Sequence, residues 1–533
     1  MADMNTISLK APSLGAELIG TVDKDNDIAL FRGIPYATLI KRWTHSQTKD
    51  SLDSVFDATR LGCRCNQLNG LVLVSGGSND PLPGDDEFEC LNLNIALPRE
   101  SLDQQAAKPL PVMVWIHGGG FAFGANSVAR YRPQALVAHA RDSKTPIILV
   151  SINYRLGALG FSASEDLAQE SNGGSKTHPV GNYGIIDQRN ALEWVNRHIQ
   201  DFGGDPSNIT VFGVSAGSVS IHMHLLAEHA LFDRAIMMSG AAPILSPLPM
   251  EIYQKEWERL CQKTGINTAS PSERLKQLRA LSVDEILKNS SPAAMGPSED
   301  GKLLQSGWTY ADNVANTRCK EIILGDTNVE AIIFDGLLRR LSQERFHQLV
   351  DEALPSDFAE QLYVKFGFSR ELQSEDLFRK AFRLLVGNTL FNYSHVGIAN
   401  ASRNSEAWRD KIHLYHFEEP SPFPGPTQGI SYHGLCAMLM HLNEFSNCPP
   451  PTQRVSLEVA RLWAAFAHGQ QPWEPYSQNQ KFMRFGPDGE SGLFDFKSDD
   501  VRDYQFQDWL GENIAQVGRF VRGLVLDLEN NDI

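Results

Sequence analysis

Apolar residues in the first half of the chain gather into short runs, separated by turns and by helical patterns. Residues 28–31 form a short apolar strand closed by Gly33 and Pro35. Residues 111–116 (PVMVWI) are rich in β-favouring side chains and run into a glycine cluster. The pattern returns at 146–152 (PIILVSI), 208–212 (NITVF) and 235–238 (AIMM), and again at 322–324 and 412–417. Continuous apolar runs of this length suit strands covered on both faces, as in a parallel sheet. Between them, residues 187–199 carry a helical period, with Leu192, Trp194, Val195 and Ile199 on its apolar positions and Ile186 just before it. Strands alternating with helices predict an α/β chain with a large, mostly parallel central sheet flanked by helices.

The second half carries long insertions. Residues 251–318 and 341–410 are mostly polar and helical in pattern, and 502–528 repeat that pattern at the end. Residues 455–468 are amphipathic and stop before Gly469 and Pro472, an ordinary helix ending. No Pro- or Ser-rich linker and no internal repeat divides the chain, so a single domain over 1–533 is expected.

Composition narrows the function. Of 533 residues 42% are hydrophobic and 21% charged, enough for a large core. The formal net charge of -16 opposes binding to phosphate backbones and anionic membrane surfaces, so neither nucleic acid nor membrane is expected as a partner. No basic segment followed by an apolar one opens the sequence, and no apolar stretch approaches the roughly 18 residues of a membrane span. The last four residues match no retention or lipidation signal, and cytoplasmic residence is the expectation. Among seven cysteines, Cys63 and Cys65 form a C-x-C with no second pair at zinc-ligand spacing. Neither a metal nor a cofactor is expected, and buried free thiols account for most of the seven.

Chemistry enters at Gly213-Val214-Ser215-Ala216-Gly217. G-x-S-x-G alone is a weak signal, but here an apolar strand precedes it and a helical run, SVSIHMHLLAEHALF, follows. So tight a strand-to-helix turn strains the serine backbone and lifts its hydroxyl above the sheet edge. The helix start turns free N–H groups and a positive dipole end toward the same point. Upstream, His117-Gly118-Gly119-Gly120-Phe121 follows the strand PVMVWI. Acyl transfer builds negative charge on a carbonyl oxygen, and bare backbone N–H donors stabilise it. The loop has the H-G-G-G form that supplies such donors in lipases and esterases, which assigns the oxyanion hole to Gly119, Gly120 and Ala216. Phe121, Phe123 and Tyr432 flank these elements and are candidate substrate-binding residues; core packing is the alternative for each.

A serine nucleophile needs a base, and the base an orienting carboxylate, in the chain order serine, acid, histidine. His433, in the loop Gly429-Ile430-Ser431-Tyr432-His433-Gly434, stands apart from His413 and His416, near a strand, and from His441 and His468, on helical patterns. Asp326 and Glu330 both lie just past the strand 322–324, where the acid belongs, and capping a helix is the alternative for Asp326.

Taken together these segments resemble the type B carboxylesterases, the cholinesterase-like family of the α/β-hydrolase fold. The likeness rests on Phe31-Arg32-Gly33-Ile34-Pro35-Tyr36-Ala37, on Glu89-Cys90-Leu91-Asn92-Leu93-Asn94, on HGGGF, and above all on residues 181–220, GNYGIIDQRNALEWVNRHIQDFGGDPSNITVFGVSAGSVS. It implies a mostly parallel sheet with helical insertions that form an active-site gorge. It implies the triad Ser215, Glu330 and His433, and it pairs Cys65 with Cys90 in a disulfide. That pairing sits uneasily with a reducing compartment. Val214 replaces the glutamate that cholinesterases often carry before the nucleophile, and residues 65–90 hold no tryptophan for a quaternary ammonium group, so a cholinesterase is not expected. Cys436 and Ala437 also depart from the family pattern after the histidine. The expected activity is hydrolysis of a small-molecule carboxylic ester through an acyl-enzyme. Acyl transfer, thioester cleavage and lactone cleavage on the same triad are alternatives, as is a catalytically silent cholinesterase-like binding protein.

Overall fold

The computed structural model describes residues 6–67, 82–103, 108–172, 180–227, 231–242, 247–291, 296–300, 318–496 and 507–530. Its strands in chain order are β1 (Thr6–Ala11), β2 (Ala16–Asp23), β3 (Ile28–Pro35), β4 (Ala37–Thr38), β5 (Gln47–Thr48), β6 (Val55–Asp57), β7 (Asn92–Pro98) and β8 (Leu110–Ile116). They continue with β9 (Ile148–Ile152), β10 (Gly204–Val214), β11 (Arg234–Met238), β12 (Glu321–Thr327), β13 (Ile412–Phe417), β14 (Lys481–Phe485) and β15 (Ser491–Asp495). Among the described residues thirteen of these form one sheet, ordered β1-β2-β3-β7-β9-β8-β10-β11-β12-β13-β14-β15, with β6 beside β2.

Every pairing from β9 to β14 is parallel, and the antiparallel pairings lie toward the two ends. The central strands are the apolar runs of the sequence: β9 and β13 are buried at every position. Helices cover both faces. On one side Tyr183–His198 packs Leu192, Trp194 and Val195 among Val112, Val114 and Val211. On the other, Pro450–Ala467 packs Trp463 and Phe466 among Met113, Phe212 and Tyr415. The expected helix at 455–468 thus begins earlier, because Pro450 and Pro451 occupy first-turn positions where no N–H is needed.

The insertions are helical as expected where described. Met250–Lys263, Pro271–Ala280 and Val283–Asn289 fill the first, while residues 301–317 lie outside the described residues. Gln343–Ala353, Ser356–Phe366, Glu375–Val386 and Tyr393–Ser402 fill the second, the last two joined by a π-helical stretch, Gly387–Asn392. With the C-terminal helix Gln507–Asn530 they build a separate apolar cluster around Phe346, Phe378 and Val521.

Candidate active site

Ser215 stands between β10 and the helix Ala216–Leu226 with φ 57° and ψ −126°, backbone angles forbidden to most non-glycine residues. Its N–H donates to Met238 O at 2.9 Å and its own carbonyl starts the helix by accepting from Val219 N–H. Ser215 is partly exposed, whereas the strand residues before it and the helix after it are buried. The sharp turn needs bare backbone beside it. A Cβ on Gly118 would come within 2.5 Å of Val214 O and 3.0 Å of Ser215 Cβ, so the glycine loop lies directly against the nucleophile.

That loop is rigid at its root and open at its tip. His117 stacks on Tyr154 at 4.4 Å, donates from Nδ1 to Gly118 O at 2.8 Å, and its carbonyl accepts from Tyr154 Oη at 2.8 Å. Burial pushes the His117 imidazole down to about 4, against the opposing pull of the Gly118 carbonyl, so the ring is neutral at pH 7. Gly120 is exposed. Among the described residues, no backbone acceptor takes up the N–H of Gly119, Gly120 or Ala216. Ala216 follows the serine directly, and Gly119 and Gly120 follow Gly118, the glycine that lies against the nucleophile turn.

The two candidate acids go to different histidines. Glu330 opens a short 3-10 helix after β12 and is fully buried. Its Oε1 accepts from Thr327 N–H at 2.6 Å, and its Oε2 accepts from His433 Nδ1 at 2.5 Å. Asp326 accepts instead from His416 Nδ1 at 2.6 Å. A carboxylate only accepts, so His433 must carry its proton on Nδ1, which leaves Nε2 as the basic nitrogen. The next residue, Gly434, places its Cβ position 3.9 Å from Val214 Cγ2, bringing the histidine loop alongside the nucleophile turn. Ser215 Oγ has no hydrogen-bond partner among the described residues; serine–histidine bonds are often long before substrate binds and tighten in the complex.

Of the candidate substrate-binding residues, Phe121 is fully buried against Phe161 and Tyr432 is 1% exposed, bridged to Val329. Phe123 is half-buried beside Gly119. No sequence signal marks Phe391, whose ring meets His433 edge-on at 5.2 Å. It is carried by the π-helical stretch, and nothing in its flanks marks it as part of a site. Cys436, three residues after His433, is buried, and burial followed by the charge of Glu330 pushes its thiol up to about 12. A neutral thiol and a neutral Val214 therefore stand where an acidic site would carry charge. Cys65 and Cys90 are both buried and both free, so the disulfide that the resemblance implies is not formed.

A mostly parallel sheet with a strained serine at the end of β10 and a glycine loop at the end of β8 defines an α/β-hydrolase. The sequence model of the carboxylesterase family matches residues 12–505, and the chain belongs to that family. Lipase 1 of Yarrowia lipolytica is 28% identical over 478 residues, 88% of each chain. Para-nitrobenzyl esterase of Bacillus subtilis is 34% identical over 281 residues, 52% of each chain. Among solved structures, a thermophilic PNB esterase superposes with a TM-score of 0.72 at 23% identity, covering 96% of this chain and 99% of its own. A carboxylesterase of Geobacillus stearothermophilus gives 0.72 at 23% identity, with 94% and 99% covered. The protein is a serine carboxylic ester hydrolase.

Proposed function

We propose that the chain hydrolyses a small-molecule carboxylic ester through an acyl-enzyme on Ser215, with His433 as general base and Glu330 as its orienting acid. The observation that carries this reading is the buried Glu330–His433 hydrogen bond on the loop that packs against the strained serine turn. His433 Nε2 takes the Ser215 proton as Oγ attacks the ester carbonyl. The N–H groups of Gly119, Gly120 and Ala216 receive the oxyanion. His433 then returns the proton to the leaving alcohol, and a water activated by the same nitrogen releases the acid. Positions 214 and 436 add no acidic side chain beyond Glu330, which favours an uncharged ester over a cationic one, and Phe123 beside the glycine loop is the apolar contact for it.

Ser215→Ala is expected to abolish turnover of p-nitrophenyl esters, and a fluorophosphonate probe to label the wild type at Ser215 alone. Wild-type turnover in the variant would sink the assignment. Failure of the probe to react would favour a binding protein on the same fold.

A further inference from the structure

Asp326, the acid that does not reach His433, belongs to a second buried cluster behind the nucleophile. Its Oδ1 accepts from His416 Nδ1 at 2.6 Å, and its Oδ2 lies 3.8 Å from His395 Nδ1. All three side chains are 0% exposed. On the far edge of its ring His395 meets Gly240 O at 3.1 Å; a carbonyl only accepts, so Nε2–H is the donor. The same oxygen accepts from Ser218 Oγ at 2.5 Å.

Gly240 is part of the nucleophile's support. A Cβ there would overlap Ser215 O and stand 3.0 Å from Ser218 Cβ. The residue before it, Ser239, is left-handed with φ 51°, and its N–H donates to Gly325 O at 2.8 Å. One residue earlier, Met238 O accepts the Ser215 N–H. A left-handed serine persists only where its surroundings over-determine it. Here the turn after β11 is held by Gly325 from one side and by His395 and Ser218 from the other. Four residues before His395 on the same helical run, Phe391 packs against His433. One helix thus touches both the base and the turn under the nucleophile.

We propose that His395, through its hydrogen bond to Gly240 O, is a positioning residue for ester hydrolysis. Its Nε2–H pins Gly240 O, and through that turn keeps Ser215 and the Ala216 N–H in the geometry acyl transfer needs. Asp326 Oδ2 borders the other edge of the ring at 3.8 Å, beyond hydrogen-bond distance and facing a nitrogen that carries no proton when Nε2 donates, so the Gly240 bond carries the role. The inference rests on Ser215 being the nucleophile.

The test compares the full-length wild type with His395→Leu, which loses the donor, and His395→Gln, whose amide nitrogen reaches the Nε2 position. With p-nitrophenyl butyrate, the leucine variant is expected to lose about 10- to 100-fold in kcat, the cost of a small misplacement of reacting groups. Its KM should stay within about threefold, because the loss falls on the transition state. Fluorophosphonate labelling of Ser215 should slow in parallel, and the glutamine variant should recover most of kcat. Equal kcat in the leucine and glutamine variants overturns the positioning role, since a purely packing role has no use for the amide. Should the leucine variant fail to fold, His395→Asn replaces it: its amide is too short to reach Gly240 O, and kcat equal to that of the glutamine variant overturns the role. A wild type that neither turns over esters nor labels at Ser215 overturns the nucleophile assignment, and the inference falls with it.

Discussion

Four positions separate Asp326 from Glu330, and that small difference decides which carboxylate serves His433. Both follow the same apolar strand, so residue type and strand context leave them equal. The structure separates them by direction: Asp326, still within β12, turns back to His416 and His395, while Glu330 opens the next turn and reaches His433. A consequence is a graded pair of variants. Glu330→Gln keeps the shape but presents an amide to His433 Nδ1 and cannot hold the productive tautomer. It is expected to lower kcat by roughly 10⁴-fold, near the effect of the same change in other triads. Asp326→Asn changes the partner of His416 and the border of His395 but does not touch His433, and should cost at most about tenfold, nearer the scale of slightly misplaced reacting groups. Steady-state kinetics on p-nitrophenyl butyrate measure both, and a larger loss for Asp326→Asn would exchange the two assignments. His433 was legible because it sat in a glycine-flanked loop outside any periodic segment. His395 was not, because a histidine inside a long helical insertion carries no local mark of what lies across from it.

Elements whose backbone demands a residue type were the ones the sequence displayed most clearly. The turn at Ser215 and the loop at Gly118 each require glycine for close approach, so their motifs mark both position and geometry. Gly217 sharpens the point: a Cβ there would overlap Ile116 O and reach within 2.9 Å of His117 O, at the root of the glycine loop. Gly217→Ala therefore cannot be absorbed by a side-chain rotation. It should push the helix Ala216–Leu226 away from β8, costing about 1–3 kcal/mol of stability and most of the activity. Thermal melting read alongside esterase turnover checks this, and wild-type values for both would show the two backbones to be less tightly joined. Less legible elements had no such demand. β7 is fully buried yet reads as polar at Asn92 and Asn94. Both asparagines are satisfied inside, Asn92 Nδ2 by Cys63 O and Asn94 Oδ1 by Gly33 N–H. β1 and β15 alternate partly exposed positions near the sheet ends, where no apolar run announces a strand. The π-helical stretch Gly387–Asn392 has no sequence period of its own, although it places Phe391 on the catalytic histidine.

At the scale of the whole molecule, burial of uncharged histidines ties stability to pH. Desolvation pushes His117 and His441 down to about 4 and, with the charge of Arg189 adding to it, His224 down to about 3. All three are neutral when folded at pH 7. His441 is caged by Trp115, Tyr131 and Phe212, with only Ala437 O as a hydrogen-bond partner among the described residues, so a charge there has no counter-ion. Above pH 6.5 neither the folded nor the unfolded chain protonates these rings, and they leave stability unchanged. Between 6.5 and about 4 the unfolded chain takes up protons that the folded chain refuses, so stability falls as the medium becomes more acidic. Each ring contributes at most about 1.4 kcal/mol per pH unit across that window. The urea midpoint should therefore drop steadily from pH 6.5 to pH 4, ahead of most carboxylate protonation. His441→Phe keeps an aromatic ring in the cage and removes one titrating group, so its midpoint should fall less steeply over the same range. Parallel slopes for the variant and the wild type would show that the ring at position 441 does not exclude its proton, and would place the acid sensitivity of the fold in its carboxylates.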